Sequence, residues 1–133
     1  MNQSNSRQAA IDQGIAYIDN GKFEEELAER VAYRTESQNS ESLPELHRYL
    51  DENIIPAFKA MGFTFTKFDN PFDGFGPFLL AQRIEDKNLP TVLGYGHGDV
   101  IRGQDENWSK GEGPWKTSLD GDKLYGRGTA DNK

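Results

Sequence analysis

The residues best suited to chemistry lie toward the C-terminus. His97-Gly98-Asp99 follows a short apolar run, and Asp131 closes the sequence Gly126-Arg127-Gly128-Thr129-Ala130-Asp131. In an extended chain, residues i and i+2 share a face. A histidine and an aspartate so placed can act as a metal ligand and its orienting partner. The carboxylate braces the ring through the nitrogen not on the metal and raises the basicity of the other. On this pair alone, a loop histidine satisfied by its neighbours is the plainer reading. Asp131 brings a second possibility, because two glycines let the backbone turn tightly and carry the carboxylate toward another loop. Its two oxygens can bridge two cations a few Å apart, as two-metal hydrolases require. Taken by itself, it is equally a solvated aspartate after a glycine-rich turn.

Other patterns for chemistry are weaker. Gly94-x-Gly96 and Gly126-x-Gly128 each reach an Asp where a dinucleotide fingerprint needs its third Gly, so neither supports a Rossmann site. No P-loop lysine pattern and no His-Glu-x-x-His helix occurs. Asp120-Gly121-Asp122 lacks the spacing and downstream glutamate of an EF-hand. His47 reads as a solvent-facing helix residue. Ser37 and Ser40 have no paired base, which leaves nucleophilic catalysis unsupported. Trp108 and Trp115 read as packing for a long loop.

Composition narrows the choices further. The 133 residues are one domain's worth of chain, with 35% hydrophobic residues and 14 glycines. The formal net charge of −7, from 22 acidic and 15 basic residues, argues against a nucleic-acid partner, which needs a basic face. Without cysteine, disulfides and thiolate metal sites are excluded, so any metal must sit on His, Asp or Glu. Met1 to Ala10 is polar and lacks the apolar stretch of a secretion signal, and no window approaches the ~20 apolar residues of a membrane span. The expectation is a soluble, cytoplasmic protein with no membrane partner.

The elements that must position these residues are helices first and strands after. Ser6 to Asn20 carries Ala9, Ala10, Ile11, Ile15 and Ile18, and Asn20-Gly21 stops it. Lys22 to Arg34 repeats the pattern with Phe23, Leu27, Val31 and Ala32, and its first-turn glutamates suit the helix dipole. Ser42 with Glu45 predicts a capping box, with Pro44 in the first turn of a helix that runs to Gly62 and kinks at Pro56. The period then becomes alternating, predicting strands over Phe63 to Phe68 and Phe78 to Glu85. Pro90 to Tyr95 is apolar throughout, as in a strand covered on both faces. This order predicts an α/β sandwich. It places His97 past the carboxyl end of the buried strand, where such sheets put their ligand crevices.

Taken together, Gly94-Tyr-Gly-His97-Gly-Asp99-Val100 and Gly121-Asp-Lys-Leu-Tyr-Gly126-Arg-Gly-Thr-Ala-Asp131-Asn-Lys133 resemble the M20 family of zinc metallopeptidases and amidohydrolases. Its His-x-Asp and Gly-Arg-Gly-x-x-Asp-x-Lys-Gly motifs occur in the same order at a similar separation. Upstream, Leu27 to Ser37 and Leu43 to Phe63 resemble the family's first two helices more loosely. The resemblance implies His97 as ligand of one zinc, Asp131 as the carboxylate bridging two, and Asp99 as the catalytic-site carboxylate bracing His97. It also implies a cis peptide at Asp131–Asn132.

The activity implied is hydrolysis of a peptide or amide bond in a small substrate, a dipeptide or an N-acyl amino acid. Two zinc ions are implied as cofactor, with cobalt or manganese admissible, and homodimers are known in the family. Residues 1–133 then correspond to the N-terminal portion of a single catalytic domain of three-layer αβα, zinc-peptidase type. A general-base glutamate, further ligands and the lid or dimerisation domain are expected beyond Lys133, which would leave the 133 residues inactive alone. Two alternatives stand beside this: a non-catalytic remnant that binds a partner protein through exposed sheet edges, and an unrelated acidic α/β binding domain.

Overall fold

A computed structural model describes residues 3–133. Met1 and Asn2, the start of the polar segment noted above, lie outside the described residues. Helix α1 spans Gln3–Asp19 and helix α2 spans Lys22–Val31. Gly21 separates them with a left-handed backbone (φ 80°), a conformation that costs glycine little. The Asn20 side chain accepts a hydrogen bond from the Lys22 N–H at 3.0 Å, meeting one of the free donors at the start of α2. Phe23, Leu27 and Val31 recur every four residues along α2, and the last two are buried. The helix ends at Val31, earlier than the sequence pattern predicts, and the chain then extends through Thr35 to Ser37.

The third helical run differs from expectation in its start and its middle. Asn39, not Ser42, supplies the cap, accepting from the Glu41 N–H at 3.2 Å ahead of a short 3-10 turn, Ser40–Ser42. The Ser42 hydroxyl donates instead to Glu36 at 3.4 Å, so the predicted capping box does not form. Helix α3 (Leu43–Tyr49) runs into a π-helical segment, Leu50–Ile54, and then helix α4 (Ile55–Ala60). The wide turn falls just before Pro56, which has no N–H to give and would crowd the carbonyl of the preceding turn.

Strands β1 (Thr64–Phe68) and β2 (Phe78–Gln82) pair antiparallel, with Thr64 opposite Gln82 and Phe68 opposite Phe78. A second hairpin joins β3 (Ser118–Asp120) to β4 (Lys123–Tyr125), turning at Gly121 with φ 65°. The architecture is therefore mixed helix and small sheet, in keeping with the α/β class. Pro90 to Tyr95 is a correction. It forms no regular element, no described segment pairs with it, and Val92, Leu93 and Tyr95 are 91%, 90% and 91% exposed. A continuous apolar run is covered only if strands flank it and layers close over it; the β1–β2 hairpin pairs solely with itself.

The core sits where α2, α3 and the C-terminal loops meet. Leu27, Val31, Leu46, Tyr49 and Val100 are buried there with Thr35 and Ser42. Helix α1 contributes little to it, since Ile11, Ile15 and Ile18 all remain exposed. No described helix is long and apolar enough to cross a membrane.

The contrast between α1 and α2 sets an expectation. Leu27→Ala should cost about 2–5 kcal/mol, the range for deleting a buried leucine side chain. Ile15→Ala should stay within about 0.5 kcal/mol, as for an exposed surface position. Urea unfolding of the two variants reads this directly; equal losses would show that α1 packs into the core.

Candidate metal site

His97 leaves the exposed segment and enters the core within three residues. The entry is made by Val100, whose N–H donates to the Thr35 carbonyl at 2.8 Å while its carbonyl accepts from the Ser37 N–H at 3.1 Å. This is a parallel bridge between the chain after α2 and the His97 loop. The Thr35 side chain is fully buried, and its hydroxyl donates to the Gly98 carbonyl at 2.5 Å. Gly98 itself lies under the Tyr49 ring so closely that an added Cβ would fall 2.0 Å from a ring carbon. The peptide between His97 and Asp99 is thus held between the Thr35 hydroxyl and the Tyr49 ring.

The imidazole is held at both nitrogens. Nδ1 lies 3.1 Å from the Asp99 backbone carbonyl and 3.4 Å from its carboxylate. Nε2 lies 2.9 Å from an Asp131 carboxylate oxygen. The His97 N–H also donates to the Asn132 side-chain carbonyl at 3.3 Å. All three residues singled out from the sequence therefore gather at one place. Asp99 braces the ring as much through its backbone as through its side chain. The Asp131–Asn132 peptide is trans, since no described peptide bond is cis. Asp131 is 84% exposed at its side chain, so little packs around it that could enforce a cis form costing about 3–4 kcal/mol.

Asp131 rides on the turn that follows β4. Arg127 donates from its backbone to the Pro114 carbonyl at 2.7 Å and from its guanidinium to the Gly103 carbonyl at 2.9 Å. The Gly103 N–H in turn donates to Glu36 at 2.6 Å, and Glu36 also accepts from Asn39 at 3.2 Å. Arg127 lies over the Trp108 ring and Arg34 over the Trp115 ring, so both tryptophans act as packing for the loop. The Lys133 N–H closes the turn on the Gly128 carbonyl at 3.0 Å. Burial pushes the Lys133 ammonium down to about 8, although it donates to two backbone carbonyls.

The His97 pKa is raised above the ordinary imidazole value. The Asp99 backbone carbonyl that accepts from Nδ1 contributes most, the charges of Asp99 and Asp131 add to it, and partial burial opposes. Imidazolium is therefore the form the fold favours. Its contribution to stability is complete below the unfolded histidine pKa of about 6.5 and disappears as pH rises through the folded value. Metal binding runs the other way, because Nε2 must first shed its proton.

The geometry admits a divalent metal between Nε2 and Asp131. Zinc–nitrogen and zinc–oxygen bonds of about 2.0–2.2 Å at a tetrahedral angle put the two donor atoms about 3.4 Å apart. The observed 2.9 Å hydrogen bond needs to open by only about half an ångström, and the exposed Asp131 side chain is free to do so. Asp99 cannot join them on the same ion, because it faces the opposite nitrogen of the ring. Accordingly, no group of three or more metal-ligating side chains exists among the described residues.

Sequence reasoning missed Thr35, Glu36, Tyr49 and Lys133 as parts of this site. Each acts across a long sequence separation that local patterns do not report. The hairpin at residues 118–125 was also missed, although Asp120-Gly121-Asp122 between alternating residues is a turn signal.

No family profile matches the chain. Over part of its length it is similar to two curated proteins. It is 49% identical over 59 residues to a Beta-Ala-His dipeptidase of Mus musculus, a match covering 43% of this chain and 11% of that protein. It is 44% identical over 57 residues to a Beta-Ala-His dipeptidase of Rattus norvegicus, with the same coverage of 43% and 11%. The chain thus spans about a tenth of the length of the curated relatives it matches.

Two outcomes are expected at this site. In an NMR pH titration, His97 should titrate above the ordinary value of about 6.5, and Asp131→Asn should bring its midpoint down. A midpoint unchanged by Asp131→Asn would show that the His97–Asp131 pair does not form in solution. Gly98→Ala should cost about 1–3 kcal/mol or more by overpacking against Tyr49; thermal unfolding indistinguishable from the parent would mean the ring is not seated there.

Proposed function

We propose that this chain carries part of the metal centre of an M20-type di-zinc hydrolase, which cleaves the peptide or amide bond of a dipeptide or N-acyl amino acid. The observation that carries the reading is the 2.9 Å approach of His97 Nε2 to Asp131, from loops far apart in the sequence. The partial similarity to Beta-Ala-His dipeptidases makes β-Ala-His the first substrate to try. A three-layer αβα zinc-peptidase fold for the whole protein belongs to the same proposal.

In this reading His97, through Nε2, and Asp131, through its carboxylate, would hold the metal. Asp99 fixes the tautomer of His97 by accepting the Nδ1 proton and raises the donor strength of Nε2. The bound metals supply Lewis acidity toward the scissile carbonyl and toward water. Two protein ligands are fewer than the three of a catalytic zinc site, so the remaining donors come from other residues of the functional assembly.

A second reading has its own observation. The exposed run Thr91 to Tyr95 offers unpaired backbone groups and apolar side chains to an added strand. It would make the chain a binding module with no need of metal.

The experiment is β-Ala-His hydrolysis by the product of the native gene, with its intact mass measured on the same sample and compared with 15.0 kDa. Activity lost on chelation and restored by zinc, abolished in His97→Ala and Asp131→Ala and reduced roughly 10–100-fold in Asp99→Asn, is the expected result. Undiminished hydrolysis in His97→Ala would end the proposal. Inactivity together with metal-independent, concentration-dependent association would favour the binding module.

A further inference from the structure

The two loops that carry His97 and Asp131 have no strand pairing with each other, yet their side chains meet. Both loops are fastened to the same few residues. The His97 loop is tied to Thr35 by the Gly98 carbonyl and the Val100 N–H. The Asp131 turn is tied just upstream, through Lys133. Its ammonium donates to the Arg30 carbonyl at 2.8 Å and the Tyr33 carbonyl at 2.5 Å. Arg30 stands in the last turn of α2 and Tyr33 just past its end, where a cation is favoured by the helix dipole; each carbonyl also accepts a backbone N–H.

The path of the lysine is built for this reach. Its methylene stem crosses Gly128, where an added Cβ would fall 2.9 Å from Lys133 Cγ and 3.0 Å from Val100. Gly128 also has φ 94°, a backbone that side-chain-bearing residues rarely adopt. The ammonium then sits 5.2 Å from the centre of the Tyr49 ring, the same ring that presses on Gly98. Lys133 therefore touches the helix end and the aromatic face that seats the other loop. Asp131, by contrast, is largely exposed and has no packing of its own.

We propose that Lys133 is a positioning residue that sets the separation of His97 and Asp131, by pinning the Asp131 turn to the segment whose Thr35 pins the His97 loop. Its functional meaning rests on the reading of those two residues as metal ligands, whereas the geometric claim stands without it. The residues from Arg30 to Thr35 would then be a common mount, and a shift of either pin would misplace one ligand relative to the other.

The test uses the full 133-residue chain and two readouts: the NOE contact between the His97 ring and the Asp131 side chain, and titration with cobalt(II) followed by its visible absorption. Variants are Lys133→Met, which keeps the stem and loses the donors; Lys133→Arg, which restores donors; and His97→Ala and Asp131→Ala as ligand controls. If the parent binds cobalt and both controls do not, Lys133→Met should weaken binding roughly 10–100-fold and alter the absorption, with Lys133→Arg recovering most of it. Parent-like cobalt binding by Lys133→Met would overturn the proposal while leaving the ligand reading intact. If the parent binds no cobalt, the two ligands do not hold a metal by themselves, and the NOE decides: lost in Lys133→Met it supports the pin, retained it overturns it. Should Lys133→Met not fold, Thr35→Val against Thr35→Ser applies the same readouts to the other pin. An NOE and cobalt affinity unchanged in Thr35→Val would then sink the common mount.

Discussion

The helical half of this chain and its loop-rich half are joined by a short parallel bridge between Glu36 and Val100. Val100 is buried, and its N–H and carbonyl are both paired with the segment Thr35 to Ser37. Buried backbone groups have to be paired, so this bridge lets a loop without periodic structure run into the core. Neighbouring residues divide the remaining work. Thr35 turns its hydroxyl to Gly98, Glu36 turns its carboxylate to the Gly103 N–H, and Ser37 completes the ladder. Loosen the bridge, and neither His97 nor the 103–105 stretch has a fixed place.

Close approach explains why this region is glycine-rich in a way that turn chemistry alone does not. Gly98 must pass beneath Tyr49, and Gly128 must pass beneath the stem of Lys133. Each leaves room for the group that seats its own loop. Tyr49 is central to this arrangement: its edge meets Tyr33, its ring covers Gly98, and the Lys133 ammonium lies over it. One buried aromatic on α3 therefore links the helix packing to both candidate ligand loops.

Local signals in the sequence translated well into local structure. The Leu27 and Val31 stripe, the stop at Gly21, the hairpin around Asn70 to Gly76 and the trouble near Pro56 were all legible from spacing and residue type. Where competing partners decided the outcome, the reading failed. Ser42 had the right neighbours for a capping box, but Glu36 offered its hydroxyl a tertiary acceptor and Asn39 took the cap. Pro90 to Tyr95 had a buried strand's composition, which states a demand for cover and not its supply. His97, Asp99 and Asp131 were singled out because together they match the two M20 motifs; from spacing alone each read as an ordinary loop residue. Thr35 and Glu36 were not, because threonine and glutamate are ordinary until a long-range contact gives them a task, and Lys133, although it stands in the quoted motif, gave no sign of its reach to α2.

The two candidate ligands are therefore oriented by different physics. The His97 ring is aimed from within its own turn, since the group that fixes Nδ1 is the carbonyl two residues on. Such a constraint persists wherever the local backbone persists, and the exposed run just before it shows how little upstream packing it needs. Asp131 has no comparable local brace, and its place depends on a lysine reaching across to the far end of α2. A perturbation of the sheet-forming region should then leave the histidine presented and the aspartate placed. A perturbation of the α2 terminus reaches both, which makes that helix end, not the apolar strand, the element on which the geometry of the site turns.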